Sequence, residues 1–335
     1  MHDTELSVDL LIVGAGPVGL FAAYYAGFRG LTVAVVDSLP EPGGQVTAMY
    51  PEKQIFDIAG FPAVRGRELV ERLVAQARPF DPVYVLGNRA DVLERLPGED
   101  VGPGSFVVVT NQGKRLAAKA VIIAGGIGTF SPRPLPAAKK YEGKGLAYFV
   151  RSFDEYAGAD VVIVGGGDSA FDWAQALHPV ATSVTLVHRR STFRAHPRTV
   201  DAVRSTGVEI ITDAQVSKVL GGEGIESVEV VEKDDGVRAM PCQKVIAALG
   251  FTANLGPLLE WGVTVESRRH IPVDSAMRTD VPGVFSAGDI NDYPGKVRLI
   301  AVGFGEAATA VNNAAHHINP RTSIFPGHST DSPAD

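Results

Sequence analysis

Short unbroken apolar runs alternate along this chain with longer stretches in which apolar residues recur at helical spacing. Val8–Val13 is one such run. It leads into Gly14-Ala15-Gly16-Pro17-Val18-Gly19, then an alanine-rich stretch, then a second run, Leu31–Val36, closed by Asp37. Brief apolar runs bounded by turn residues predict buried parallel strands, and the stretch between them predicts a helix. The order is strand, tight turn, helix, strand, acid. It returns at Val161–Val164, with Gly165-Gly166-Gly167-Asp168-Ser169-Ala170, a helix through Leu177 and a strand over Ser183–Val187. The pattern predicts an α/β chain with two Rossmann-like dinucleotide-binding domains.

The remaining elements are weaker. Arg67–Phe80 places Leu69, Leu73 and Ala77 on one helical stripe. Strands are expected at Val83–Leu86, Ala90–Leu93 and Ser105–Thr110, the last followed by an Asn111-Gln112-Gly113 turn. Ala120–Ala124 runs into Gly125-Gly126-Ile127-Gly128, small residues that suit a strand tip against a cofactor. Further strands are expected near Glu209–Ile211, Val216–Leu220, Ser227–Val231, Val245–Ala248 and Pro282–Ile290, and an amphipathic helix over Ala301–His317. Residues 38–63 carry four prolines and little periodicity, which marks a long loop with a function. Residues 131–145 read as a linker or surface excursion.

Composition narrows the class. A chain of 335 residues can bury two ordinary cores. Its 37 glycines exceed the usual ~7 % share, which fits nucleotide-binding turns. The single cysteine, Cys242, excludes an intrachain disulfide and any Cys-x-x-Cys pair, and fits a reducing, cytoplasmic compartment. No leader and no bilayer-spanning run is expected, and no metal site. The net charge of −7 argues against nucleic acid as partner.

The two turns differ in their chemistry. In the first, Gly14 allows the turn, Gly16 admits a pyrophosphate and Gly19 lets the helix approach the sheet, with Pro17 opening the helix. Asp37 stands where a carboxylate can take both hydroxyls of an adenosine ribose; a merely structural glycine turn is the other reading. In the second, Ala170 replaces the third glycine. At the offset of Asp37 stands His188-Arg189-Arg190, with Arg194 just beyond. Guanidinium groups there would bind a ribose 2′-phosphate, so Gly165, Gly167, Asp168, Ser169, Ala170, His188, Arg189, Arg190 and Arg194 form a candidate NADPH site. A solvated arginine edge is the alternative. Two dinucleotides in one chain suggest a tightly held flavin and a nicotinamide that comes and goes. Asp289 is either a flavin-dinucleotide contact or a helix cap. Gly44, Gln45 and Tyr50 either meet the flavin or, for Tyr50, plug a small core.

The motifs GAGPVG…VVD, GGQ, GGGDSA…VHRR and VFSAGD together resemble the two-domain flavin reductases of the thioredoxin reductase type. The resemblance implies a three-layer ββα form with a discontinuous FAD domain, residues 1–125 and 251–335, and an inserted NADPH domain, 126–250. Crossings near 126 and 250, with Gly125, Gly126, Gly128 and Gly250, are the expected hinges. Thioredoxin reductases carry their cysteine pair where this chain has Phe149-Val150-Arg151-Ser152, so dithiol chemistry is not expected. Gly43–Pro62 and Ile324–Ser329 resemble a cysteine-free branch, the ferredoxin–NADP reductases of this architecture. That resemblance implies Tyr50 stacked on one flavin face, His328 on the other, Ser329 beside it, and a homodimer that the C-terminal tail reaches across. A frayed surface tail is what His328 would otherwise belong to.

The leading expectation is an NADPH-dependent FAD enzyme that passes hydride to flavin N5 and then single electrons to an acidic ferredoxin or flavodoxin. The alternative is an NADPH oxidase or diaphorase reducing quinones, oxygen or free flavin; a flavoprotein scaffold without turnover is a third. Since the chain is net negative, docking of an acidic partner needs a local basic patch. Lys53, Arg65, Arg67, Arg72 and Arg78 are the candidates.

Overall fold

Leu6–Val13 forms a central strand because it can be buried on both faces. In this computed structural model, which describes residues 6–96, 105–233 and 236–328, Leu10, Leu11 and Ile12 are fully buried. Alternate residues serve opposite layers. Leu10 and Ile12 join a cluster with Ala22, Ala23 and Ala310, while Leu11 and Val13 join one with Phe106, Leu258 and Trp261. The strand pairs in parallel with Val33–Val36 on one side and Arg115–Ile123 on the other. The sheet runs Val83–Val85, Val33–Val36, Leu6–Val13, Arg115–Ile123, Ser105–Thr110, Ala90–Leu96, with Val284–Ser286 also paired to Arg115–Ile123. Helices Pro17–Phe28 and Ile300–Ile318 supply the alanines that let helix and sheet approach.

A second parallel sheet is ordered Leu146–Ala147, Lys244–Ala247, Asp160–Val164, Ser183–Val187, Glu209–Ile211. Here too the alternation sorts the layers. Val161 and Ile163 pack with the helical residues Phe171, Trp173 and Val203, and Val162 and Val164 pack with Val216, Val228 and Met240 of an antiparallel three-stranded sheet. Sheet, sheet and helix layers follow in turn, as the three-layer expectation has it.

The chain divides into two compact units, one from Met1–Thr47, Gln54–Thr129 and Ala253–Asp335, the other from Ala48–Lys53 and Phe130–Thr252. The crossings lie in Thr129–Pro132 and Phe251–Asn254, which pair as a two-stranded ribbon. They therefore fall a few residues beyond 125 and 250. Ala48–Lys53 groups with the second unit, against the expectation of an unbroken first segment. The reason is local: Lys53 Nζ pairs with Asp172 Oδ2 at 2.6 Å, and Tyr50 packs on the cluster of Phe171 and Trp173.

Other differences are small. Arg67–Phe80 is a helix over Gly66–Ala77 with a 3₁₀ turn at Arg78–Phe80. Pro282–Ile290 contributes only Val284–Ser286 as strand. Gly236–Pro241 is an unexpected strand; only Met240 in it is buried, so it shows no apolar alternation. Among the described residues, no helix is long and apolar enough to cross a membrane.

Candidate functional sites, one in each unit

In the first unit the glycine turn is built by contact. Gly14 has φ +114, and a Cβ there would collide with Ala124 O, so the turn can lie against the end of the neighbouring strand. A Cβ on Gly19 would collide with Gly14 O, so the helix start can close on the turn. Gly16 is different. It has φ −68 and ψ 177, which any residue adopts, and a Cβ would meet nothing within 4 Å. Neither backbone nor packing demands glycine there, and the bare helix start leaves room for a ligand where N–H groups favour phosphate.

Four further segments converge on this turn. Asp37 Oδ2 accepts the Ala15 N–H at 2.6 Å and Oδ1 accepts that of Leu39 at 2.8 Å. Burial pushes its carboxyl above the usual range, partly offset by those backbone donors. Gly43 N–H donates to Ala15 O at 2.7 Å, and a Cβ on Gly44 would stand 2.9 Å from the Gly16 Cα. The Gln45 side chain lies against Gly126, the residue after Gly125. Gly288 approaches Val18, with its Cβ position 3.3 Å from a Val18 methyl, which brings Asp289 to the start of the same helix. Asp289 is half-buried in a turn, and neither helix Pro17–Phe28 nor helix Ile300–Ile318 has a side-chain cap at its start, so the helix-cap reading is set aside for these two. A dinucleotide fits this set of residues.

Two expected members stand apart. Tyr50 is half-buried and belongs to the second unit. His328 is exposed, with its ring 5.2 Å from that of Phe325. Ser329 lies outside the described residues.

In the second unit Gly165 N–H donates to Val187 O at 3.0 Å, and a Cβ on Gly165 would collide with Ala248 O. Gly167, like Gly16, has an unstrained backbone, φ −103 and ψ 178, and open space where a Cβ would point. The middle glycine has a distinct task, since a Cβ on Gly166 would enter the His188 ring. Gly166 O accepts the N–H of Arg194 at 2.8 Å, and Asp168 Oδ1 accepts that of His196 at 2.8 Å. These bonds fold the 188–196 loop over the turn; Arg189, Arg190 and Arg194 in that loop and Ser169 at the helix start are exposed. Ala170 is fully buried.

The structure separates His188 from the arginines it adjoins in sequence. Its ring rests on Gly166 and near Phe193, centroids 5.5 Å apart, and its Nε2 meets Thr192 O at 3.2 Å. Burial, and then the adjacent guanidinium groups, lower its pKa, so at neutral pH it carries no charge for an anion. Asp168 likewise acts on the loop through the His196 N–H. The cationic donors are the three arginines. Arg189 also borders a cavity of about 430 Å³ with Asp213, Gln215, Ser217 and Lys233.

Two other expectations meet the structure. Cys242 is buried, its thiol donates to Lys244 O at 3.0 Å, and burial pushes its pKa up to about 11. No reactive thiolate follows from such a site. Of the basic candidates, Lys53 pairs with Asp172 and Arg72 with Glu68, each at 2.6 Å, and Arg65, Arg67, Arg72 and Arg78 are exposed. Sequence reasoning missed Lys296 and Glu306, whose buried ion pair contacts Gly288. The signal was present: Glu306 sits on the helical stripe of Gly303, Ala307 and Ala310, where a charge is out of place.

A match to the pyridine nucleotide-disulphide oxidoreductase family spans residues 8–314. A ferredoxin–NADP reductase of Nocardioides sp. (strain JS614) is 61 % identical over 329 residues, covering 98 % of each chain. One from Frankia alni is 59 % identical over 322 residues, 96 % of this chain and 98 % of the relative. Among solved structures, T. acidophilum thioredoxin reductase is similar with a TM-score of 0.74 and 27 % identity, over 94 % of this chain and 98 % of that one.

Proposed function

The chain belongs to the pyridine nucleotide-disulphide oxidoreductase family, among the ferredoxin–NADP reductases of thioredoxin-reductase-like fold, and from that premise we propose that it carries electrons between NADPH and a ferredoxin or flavodoxin through a bound FAD. One observation carries the reading. Two glycine turns of the same construction meet opposite charges at the end of the following strand, Asp37 in one and Arg189-Arg190 in the other.

In this reading the first unit holds FAD. Gly16 and the free N–H groups beyond it receive the pyrophosphate. Asp37 keeps lone pairs for ribose hydroxyls after bonding Ala15 and Leu39. Gly44, Gln45, Gly125 and Asp289 line the path toward the ring, and Tyr50 and His328, with Ser329, cover its faces. The second unit receives NADPH over Gly167 and Ser169, and Arg189, Arg190 and Arg194 bind the 2′-phosphate through forked, charge-assisted bonds. When bound, FAD supplies exchange between a two-electron donor and a one-electron acceptor. The protein's own residues bind, orient and separate the two nucleotides; no acid–base triad is required of them. The acceptor docks at a basic patch past the Tyr50 loop, for which Lys53, Arg65, Arg67, Arg72 and Arg78 are the candidates, all but Lys53 exposed. The chain acts as a cytoplasmic homodimer, the tail with exposed Ile324 and Phe325 reaching the partner.

Purified protein tests the division of labour. It should retain FAD, and NADPH should bleach the flavin faster than NADH does in stopped flow. A flavin-free protein, or equal rates with both nucleotides, would contradict the assignment.

A further inference from the structure

A lysine–glutamate pair is buried beside the turn that carries Asp289. The side chains of Lys296 and Glu306 are 3 % and 4 % exposed and in direct contact. Burying two charges costs several kcal/mol even when they are paired, and an apolar pair of similar volume often serves stability as well. Such a pair invites a reason other than stability.

Its hydrogen bonds supply one. Glu306 Oε2 accepts the Gly288 N–H at 2.7 Å and Asn291 Nδ2 at 3.2 Å, while Oε1 accepts Tyr293 Oη at 2.7 Å and Lys296 Nζ. Lys296 Nζ then donates to Gly288 O at 3.0 Å. One residue, Gly288, is thus held at its N–H by the anion and at its carbonyl by the cation. Gly288 has φ +86, and its Cβ position is packed on Val18, the second residue of the first fingerprint helix. The pair fixes the two peptides that flank Gly288, the second of which leads into Asp289, while adding no net charge. Burial, and then Glu306, push the Tyr293 hydroxyl up to about 12, so it stays a donor.

We propose that the Lys296–Glu306 pair is a positioning element that clamps Gly288 and so aims Asp289 at the dinucleotide of the first unit. This rests on the reading that the first unit binds FAD. Tyr293 supplies the control, because its hydroxyl bonds Glu306 but not Gly288.

The test is the rate of FAD release from the holoprotein on dilution, followed by flavin fluorescence, together with the visible spectrum of the bound flavin. Glu306→Gln and Lys296→Met should release FAD at least ~10-fold faster, the scale of one charge-assisted bond, and shift the flavin band. Lys296→Arg should restore retention to within ~3-fold, and Tyr293→Phe should stay within ~3-fold of the parent. NADP affinity of the second unit should not change. Parental release and spectra in Glu306→Gln and Lys296→Met would overturn the proposal, as would equal acceleration by Tyr293→Phe. Should those two variants fail to fold, Glu306→Asp, which keeps the charge but withdraws it from Gly288, should release FAD more than ~3-fold faster; unchanged release would overturn the clamp. A parent protein that binds no FAD would instead overturn the reading on which the proposal rests.

Discussion

The carboxylate of Asp37 accepts the backbone N–H of Ala15 at 2.6 Å, joining the end of the second strand to the glycine turn after the first. The acid therefore holds the turn in shape whether or not a ribose is present. Burial raises its pKa, against the lowering by the backbone donors of Ala15 and Leu39, and the net rise has a measurable sign. The folded chain keeps the Asp37 proton to a higher pH than the unfolded chain. The stability this contributes is fully present below the ordinary 3.8 and is lost as pH rises through the folded value. Ribose recognition needs the ionised form, so FAD retention runs the other way and falls as pH drops through that same raised value. Asp37→Asn should remove both dependences and weaken FAD at least ~10-fold at neutral pH. Melts of the apoprotein and FAD release against pH check this. Release in Asp37→Asn that matches the parent at every pH would remove the residue from the site.

The glycines divide into those the fold needs and those a ligand needs. Gly16→Ala and Gly167→Ala place a methyl in open space on an unstrained backbone. Each should change stability by no more than about 1 kcal/mol. Even so, the first should lose FAD and the second NADPH by at least ~10-fold. Gly19→Ala drives a methyl into Gly14 O and should destabilise the chain outright. Thermal melts beside ligand titrations separate the cases, and unaltered binding in Gly16→Ala and Gly167→Ala would contradict the ligand path.

Nucleotide choice should reside in the arginines. Replacing Arg189 and Arg190 with Ala should cut the NADPH-over-NADH ratio in kcat/KM by ~10-fold or more and leave maximal NADH turnover nearly intact. Because burial and both guanidinium groups lower the pKa of His188, KM for NADPH should show no His188 titration at or above neutral pH. Steady-state kinetics with the two nucleotides, repeated across pH, decide both points.

Much of this site was legible because its signals are local. Val8–Val13, the turn at Gly14–Gly19 and Asp37 lie within a single strand–helix–strand unit, and so do Val161–Val164 and the turn at Gly165–Ala170. What escaped depends on contacts between distant positions. Lys53 meets Asp172 across 119 residues and carries Tyr50 to the other unit, which no spacing rule predicts. His188 stands beside two arginines in sequence but turns its ring onto Gly166, so charge was credited to a packing residue. Glu306 gave a local sign of burial, lying on the apolar stripe of its helix, but only the fold shows that Lys296 is its partner.

Cys242 should be inert. Cys242→Ser should keep electron transfer to ferredoxin and lose about 1 kcal/mol of stability, since a hydroxyl can donate to Lys244 O as the thiol does. The thiol's pKa rises from 9.0 to about 11, so its contribution to stability is intact below pH 9 and is lost as pH climbs toward 11. Denaturation midpoints of parent and variant across that window, with thiol labelling at pH 8, check this. Rapid labelling of the folded parent would show the site is open.

The central claim is that NADPH electrons leave this chain singly to a ferredoxin. The most direct measurement is steady-state reduction of cytochrome c by NADPH and the purified protein, with and without added ferredoxin. Turnover should depend on ferredoxin concentration and saturate, and NADH should support far less of it. Cytochrome c or oxygen reduction that ferredoxin does not accelerate would contradict the account and identify a diaphorase or oxidase instead.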